Sequence, residues 1–254
     1  MTRKKEQEQF ISYITERQTH EGQMAVADFL RKYAVRYHNS DFISSDPVQF
    51  PHRYHSKADI EISAFLTAFL SFGARPQILK AAERLDSIMN RLPLQCELSG
   101  NWKIDFCGEE SFYRTVSKNR MAQLFHWLYT IYDRYESMEN ALLCETDGTP
   151  MQRLCRLFGV SDKAPQKKLN MFLRWMIRRD SEVDFGIWRN FSPCELIIPL
   201  DTHVSEMAFR LELTRSKSYT LNNARTITAA LAEVFPEDPC LGDFALFGYG
   251  INEL

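Results

Sequence analysis

Apolar residues recur at helical spacing along almost the whole chain, and β-branched runs alternating with a period of two are nearly absent. That pattern restricts the fold to packed helices. Over 24–37, Met24, Phe29, Leu30, Tyr33 and Tyr37 share one broad face. Over 59–72, Ile60, Ile62, Ala64, Phe65, Leu66, Ala68, Phe69 and Leu70 are too densely apolar for a surface helix, which predicts a central one. Pro76 opens the next helix, in the first turn, where its missing N–H is not needed. The spacing predicts further helices over 119–135 (dense in aromatics), 151–158, 165–179, 202–210, 221–234 and 243–248. Helical signal is weakest over 92–110, and Ser44-Ser45-Asp46-Pro47-Val48-Gln49-Phe50-Pro51 reads as a turn-rich connector. The expected class is all-α.

Composition narrows the function classes. At 254 residues, 44% hydrophobic and 25% charged, the chain has enough apolar surface for a core, which excludes collagen-like and disordered classes. No apolar run approaches the roughly 18–20 residues that span a bilayer, and the charged start lacks a secretory signal's apolar stretch, so a cytoplasmic protein without a membrane partner is expected. A net charge of -2 gives no overall basic field to attract nucleic acid, leaving only a local basic face. The six cysteines (Cys96, Cys107, Cys144, Cys155, Cys194, Cys240) have neither C-x-x-C nor zinc-ligand spacing; they read as core residues or free thiols, with no metal expected.

The stretch 166–204 is the most informative. On the predicted helix 165–179, Leu169, Phe172, Leu173 and Met176 form one apolar stripe. Lys167, Asn170, Arg174 and Arg178, spaced three, four and four, line the opposite stripe. Such a basic face suits phosphate contact, and equally a solvated flank. Asp201 follows Leu196, Ile197 and Ile198 and precedes a short helix, so it reads as an N-cap, a role that also keeps a carboxylate rigid and ionised. His203 is a candidate phosphate contact or a packed first-turn residue. Trp175 and Trp188 are candidates for stacking on a base, or aromatic core. Asp184-Phe185-Gly186-Ile187-Trp188 reads as a loop beside such a pocket, with Gly186 permitting a tight turn.

Four ordered segments carry a family resemblance. Asp201-Thr202-His203-Val204 with Phe209-Arg210-Leu211-Glu212-Leu213 resembles the D-T-H-V…R-L-G-L segment of helix-hairpin-helix DNA glycosylases of the endonuclease III superfamily. Lys167-Lys168-Leu169-Asn170-Met171-Phe172-Leu173 resembles the K-T-A-N-x-x-L that begins the helix after that family's hairpin. Ile62-Ser63-Ala64-Phe65-Leu66-Thr67-Ala68-Phe69-Leu70-Ser71 is similar to its early buried helix, and Asp243-Phe244-Ala245-Leu246-Phe247-Gly248-Tyr249-Gly250 to its closing helix. A narrower likeness, in the L-R-W-M-x-R and P-L-D-T-H-V strings, is to bacterial proteins classed only as a domain of unknown function. The family's glycine hairpin L-P-G-V-G-x-K is replaced here by Val160-Ser161-Asp162-Lys163-Ala164-Pro165-Gln166, and its four-cysteine iron–sulfur motif has no counterpart.

The resemblance implies a glycosylase-like fold of two helical lobes about a central cleft, here 59–180 against 1–58 plus 181–254. It implies damaged duplex DNA as partner, no cofactor, and removal of flipped-out bases with or without abasic-site lyase activity. Asp201 would be the catalytic carboxylate. Lys167 would be the amine nucleophile, with Lys168 as the alternative; Asn170, Arg174, Arg178 and His203 would contact DNA, and Trp175 and Trp188 the base. A helical module that binds nucleic acid without catalysis, or one that binds protein, is the other reading.

Overall fold

The computed structural model describes residues 20–252; the charged segment 1–9 lies outside them. Helices dominate: α1 (His20–Tyr37), α2 (Asp41–Ser45), α3 (Lys57–Leu70), α4 (Arg75–Ile88), α5 (Pro93–Ser99), α6 (Trp102–Asp105), α7 (Lys118–Arg134), α8 (Met138–Cys144), α9 (Pro150–Leu157), α10 (Lys167–Ile177), α11 (Thr202–Arg210), α12 (Leu221–Ala232) and α13 (Leu241–Asn252). Strands β1 (Ser111–Tyr113) and β2 (Val116–Ser117) form one short antiparallel hairpin. The fold is all-α. Polar side chains start many of the helices: Ser56, Ser117, Ser137, Thr220 and Asp201 each accept a backbone N–H of the first turn, and Thr149 closes a capping box with Gln152.

Two compact units emerge: 43–160 with Ile187–Asn190, and the remainder, which contains Ser161–Gly186 and Phe191–Leu254. The boundary differs from the expected lobe 59–180. Helix α10 joins the unit of the chain's end because its arginines pair with Asp184, Asp238 and Asp243.

In the first unit α3 is central, as its all-round apolarity predicts. Phe65 stacks on Phe158 at 4.5 Å, and Phe125 of α7 meets Trp102 and Phe106 at 5.6 and 5.0 Å. The one carboxylate in the buried middle of α3, Glu61, accepts hydrogen bonds from Tyr132 Oη, Met138 N and Trp188 Nε1 at 2.7, 2.8 and 2.6 Å. Burial raises its pKa and those donors oppose the rise.

In the second unit α13 is the centre. It is apolar all round and buried along most of its length. Tyr249 meets Tyr33 and Phe29 of α1 at 4.7 and 5.1 Å. Glycines set these approaches: a Cβ on Gly248 would lie 2.3 Å from the Tyr37 ring, and one on Gly250 would lie 3.2 Å from His203 and Met207 of α11. Gly248→Ala is therefore expected to destabilise the protein by about 1–3 kcal/mol through overpacking. Helix propensity alone would make the same change favourable by up to about 1 kcal/mol. Urea denaturation decides between the two by the sign of the change.

Candidate functional site

Helix α10 begins at Lys167 after an unusual turn. Gln166 has φ 45° and ψ 49°, a left-handed conformation that costs a non-glycine residue roughly 1 kcal/mol. Its Nε2 donates to Ser161 O at 2.5 Å, and Asn170 Nδ2 reaches back to Pro165 O at 2.8 Å. These side-chain bonds tie down a turn that lacks the glycines of the resembled hairpin. The amides of Lys167 and Lys168 come at the start of α10, where both residues are half-buried.

The remainder of the expected basic stripe turns inward, which corrects the reading of Asn170, Arg174 and Arg178 as DNA contacts. All three are buried, at 1%, 5% and 1% exposure. Arg174 Nη1 lies 2.5 Å from Asp243 Oδ2, and its Nε lies 3.4 Å from Asp184 Oδ1. Arg178 pairs with Asp184 through Nη1, and Nε with Asp238 Oδ1 and Oδ2 at 3.0 and 2.8 Å. Both guanidinium groups lie over the Phe244 ring, 4.7 and 5.1 Å from its centroid. The physical reason is charge balance. Two buried aspartates, Asp184 and Asp243, share that interior with the partly exposed Asp238 at its edge, and a buried carboxylate is tolerated only when a cation and hydrogen bonds compensate it.

The segment carrying Asp184 folds back on α10. Phe185 N donates to Trp175 O at 2.8 Å, and a Cβ on Gly186 would meet Arg178 O at 2.6 Å, so glycine at φ 55° permits the close approach. Ser181 Oγ accepts from Val183 N and Asp184 N, and makes a 2.7 Å hydrogen bond with His38 Nε2. Burial, then the Arg178 charge, lower the His38 pKa.

Trp175 and Trp188 are fully buried, which corrects their reading as base-stacking platforms: both are core. Trp188 belongs to the first unit, where it donates to Glu61.

Asp201 is the N-cap of α11, its Oδ1 accepting from Val204 N at 3.0 Å; the residue is half-buried. His203 is exposed on the first turn of that helix. Asp243 stands in the first turn of α13 and pairs with Arg174 of α10. Its carboxyl is 3% exposed, and Oδ1 has no hydrogen-bond partner. Burial raises its pKa to about 6. Arg174 opposes that rise, the Asp201 charge adds to it, and the Lys167 charge opposes it.

Asp184, Asp238 and Asp243 are the functional candidates that motif reading passes over. One signal was available for Asp243: it is the only charged residue in the twelve of α13. A lone carboxylate in an apolar helix demands a buried cation, and Arg174 of α10 and Arg178 at its C-cap are buried cations that can answer it.

Among the described residues no cluster of three or more His, Cys, Asp or Glu side chains is arranged to hold a metal ion, and no helix is long and apolar enough to cross a membrane. No curated protein and no solved structure matches the chain. A family model matches residues 46–252, most of the length described above, and by it this chain belongs to the family described as protein of unknown function (DUF2400).

Proposed function

We propose that the protein is a helical DNA glycosylase-like enzyme with abasic-site lyase chemistry, acting on nucleotides flipped out of damaged duplex DNA. The observation that carries this reading is the Asp201 carboxylate fixed at the N-cap of α11, its Oδ1 accepting from Val204 N at 3.0 Å, together with the half-buried Lys167 at the start of α10. Cleaving an N-glycosidic bond builds positive charge on the sugar, and a fixed carboxylate stabilises it. The cap bond to Val204 N holds the Asp201 carboxylate in one orientation, so little reorganisation is needed as that charge develops.

Lys167 supplies the second function. Its nitrogen joins the aldehyde carbon of an opened abasic sugar, and the carbonyl oxygen leaves as water. The product is a protonated imine, which borohydride reduces to a stable amine. The K-x-x-N spacing from Lys167 to Asn170 favours Lys167 over Lys168 as the amine.

Borohydride trapping on an abasic-site duplex tests the reading. The wild type is expected to give a covalent protein–DNA adduct, and Lys167→Ala none, while Lys168→Ala retains it. Asp201→Asn keeps the cap acceptor and removes the charge, and is expected to lower the rate roughly a hundredfold, the cost of losing one electrostatic group aimed at the reacting centre. No adduct from the wild type, or equal adduct from Lys167→Ala, overturns the lyase reading. Salt-dependent duplex binding that survives Asp201→Asn, with no base released, would favour a non-catalytic module instead.

A further inference from the structure

We infer that the surface where α4, the β1–β2 hairpin and α7 meet binds a single-stranded segment of nucleic acid, with Arg84, Arg114 and Arg120 on its phosphates and the half-buried rings of Phe69, Phe72 and Trp127 against its bases. The inference goes beyond the catalytic reading, since it needs no chemistry at Lys167 or Asp201.

The hairpin assembles this surface within the first unit. Gln77 and Arg84 stand two turns apart on α4 and share one of its faces. The hairpin lies along that face: Arg114 Nη1 donates to Gln77 Oε1, and Arg84 Nη1 to Phe112 O, each at 3.3 Å. Tyr113 Oη donates to Phe72 O at 2.5 Å and the two rings meet at 5.1 Å, which ties the hairpin to the turn after α3. Helix α7 follows β2 directly, and its Arg120 lies over Phe69 and Trp127, 5.6 and 4.9 Å from their centroids. Arg114 lies 5.8 Å from the Phe72 centroid and Arg84 4.6 Å from that of Phe112. Each guanidinium is thus placed over an aromatic ring. Arg84 and Arg114 are exposed, and Arg120 is half-buried.

Charge identifies the partner. Among the described residues none of these three arginines pairs with a carboxylate; their side-chain bonds go to Phe112 O, Gln77 and Gln123. The carboxylates of the same elements are already answered: Glu83 and Asp86 by Arg53, Glu110 by Lys118 and Glu109 by Asn119. Burial lowers the Arg120 pKa, and no anion opposes it. A chain of net charge -2 therefore carries a local surplus of positive charge set among aromatic rings. Unpaired nucleotides supply what both components need, phosphates for the cations and flat bases for the rings and guanidinium planes. A duplex keeps its bases stacked inside, and an acidic peptide offers charge without flat groups.

The hairpin tip adds an independent sign. Arg114-Thr115 is a two-residue loop in which Arg114 has φ 50°, a position where glycine or asparagine is favoured. A left-handed arginine costs stability that glycine does not. Strain of this kind concentrates at functional sites.

Fluorescence anisotropy with a labelled oligodeoxythymidine of about 20 nucleotides, undamaged and unpaired, tests the inference. Each phosphate contact on a single strand contributes about 0.7 to the slope of log affinity against log salt, so Arg84→Gln with Arg114→Gly is expected to flatten that slope by about 1.4 and to weaken binding. Glycine holds the tip without strain, so Arg114→Gly alone is expected to be at least as stable as the wild type to urea while binding less tightly. The control is Arg156→Gln, which removes an arginine already paired with Glu145 at 3.0 Å and is expected to leave the slope unchanged. No wild-type binding at low salt, an unmoved slope in the double variant, or an equal change in the control overturns the inference. So does a double variant that loses duplex binding as much as single-strand binding, or a poly-glutamate competitor as effective as unlabelled oligonucleotide at equal charge. The probe has no abasic site, so these outcomes leave the borohydride test of Lys167 untouched, and a failure to trap leaves this surface standing.

Discussion

Asp184→Ala is expected to lower the stability of the native state by about 3–5 kcal/mol, a large share of the 5–15 kcal/mol typical of a protein. The Asp184 side chain is fully buried between Arg174 and Arg178, themselves 6% and 1% exposed. Removing it leaves two guanidinium groups out of water with Asp243 and Asp238 as their remaining anions. The effect comes from uncompensated charge, not from the intrinsic worth of an ion pair, because desolvation offsets most of the attraction in such pairs. The control is Glu206→Ala. Glu206 pairs with Arg210 and Lys217 at 2.7 and 2.6 Å, but on the surface, where such contacts contribute at most about 1 kcal/mol and are screened by salt. Chemical denaturation of the two variants at low and high salt checks the contrast. Equal losses, or a loss in Asp184→Ala that salt abolishes, would count against a buried network.

Glu97→Met is expected to act in the opposite direction, stabilising the protein by about 3 kcal/mol at pH 7. Glu97 of α5 is wholly buried, and neither carboxyl oxygen has a hydrogen-bond partner. Burial pushes its pKa from 4.5 to about 9, with only the Tyr129 backbone opposing. Between those two values the native chain holds a proton that the unfolded chain releases, so this residue lowers stability progressively as pH rises through the window. Each pH unit is worth about 1.4 kcal/mol, and pH 7 lies about 2.5 units above the unfolded value. Methionine has similar length and no charge to neutralise. Urea midpoints of the two proteins are expected to converge below the unfolded value of 4.5 and separate as pH rises; a difference independent of pH would rule out this account.

The helices were legible because their signal is local. Periodicity placed α1, α3, α4, α7, α9, α10, α11, α12 and α13, and the cap at Asp201 is written in the residues beside the start of α11. The 92–110 stretch was not, because α5 and α6 have seven and four residues, too few for a 3.6-residue period to declare itself. Basic residues at 170–178 misled for a different reason. Spacing identifies which side chains share a face, and Asn170, Arg174 and Arg178 do share one, but it does not say whether that face meets water or other charges. Trp175 and Trp188 raised the same ambiguity, since an aromatic ring packs as well in a core as against a base.

The sequence by itself thus determined the class of fold, the helix starts and the two residues, Lys167 and Asp201, that stand in a recognisable chemical pattern. Tertiary structure alone decided that Arg174 and Arg178 face inward and that Asp184 and Asp238 answer them. The physical reason is that helix formation depends on neighbours within a turn or two, whereas the state of a buried charge depends on groups brought from 60 or more residues away, such as Asp238 and Asp243 opposite α10.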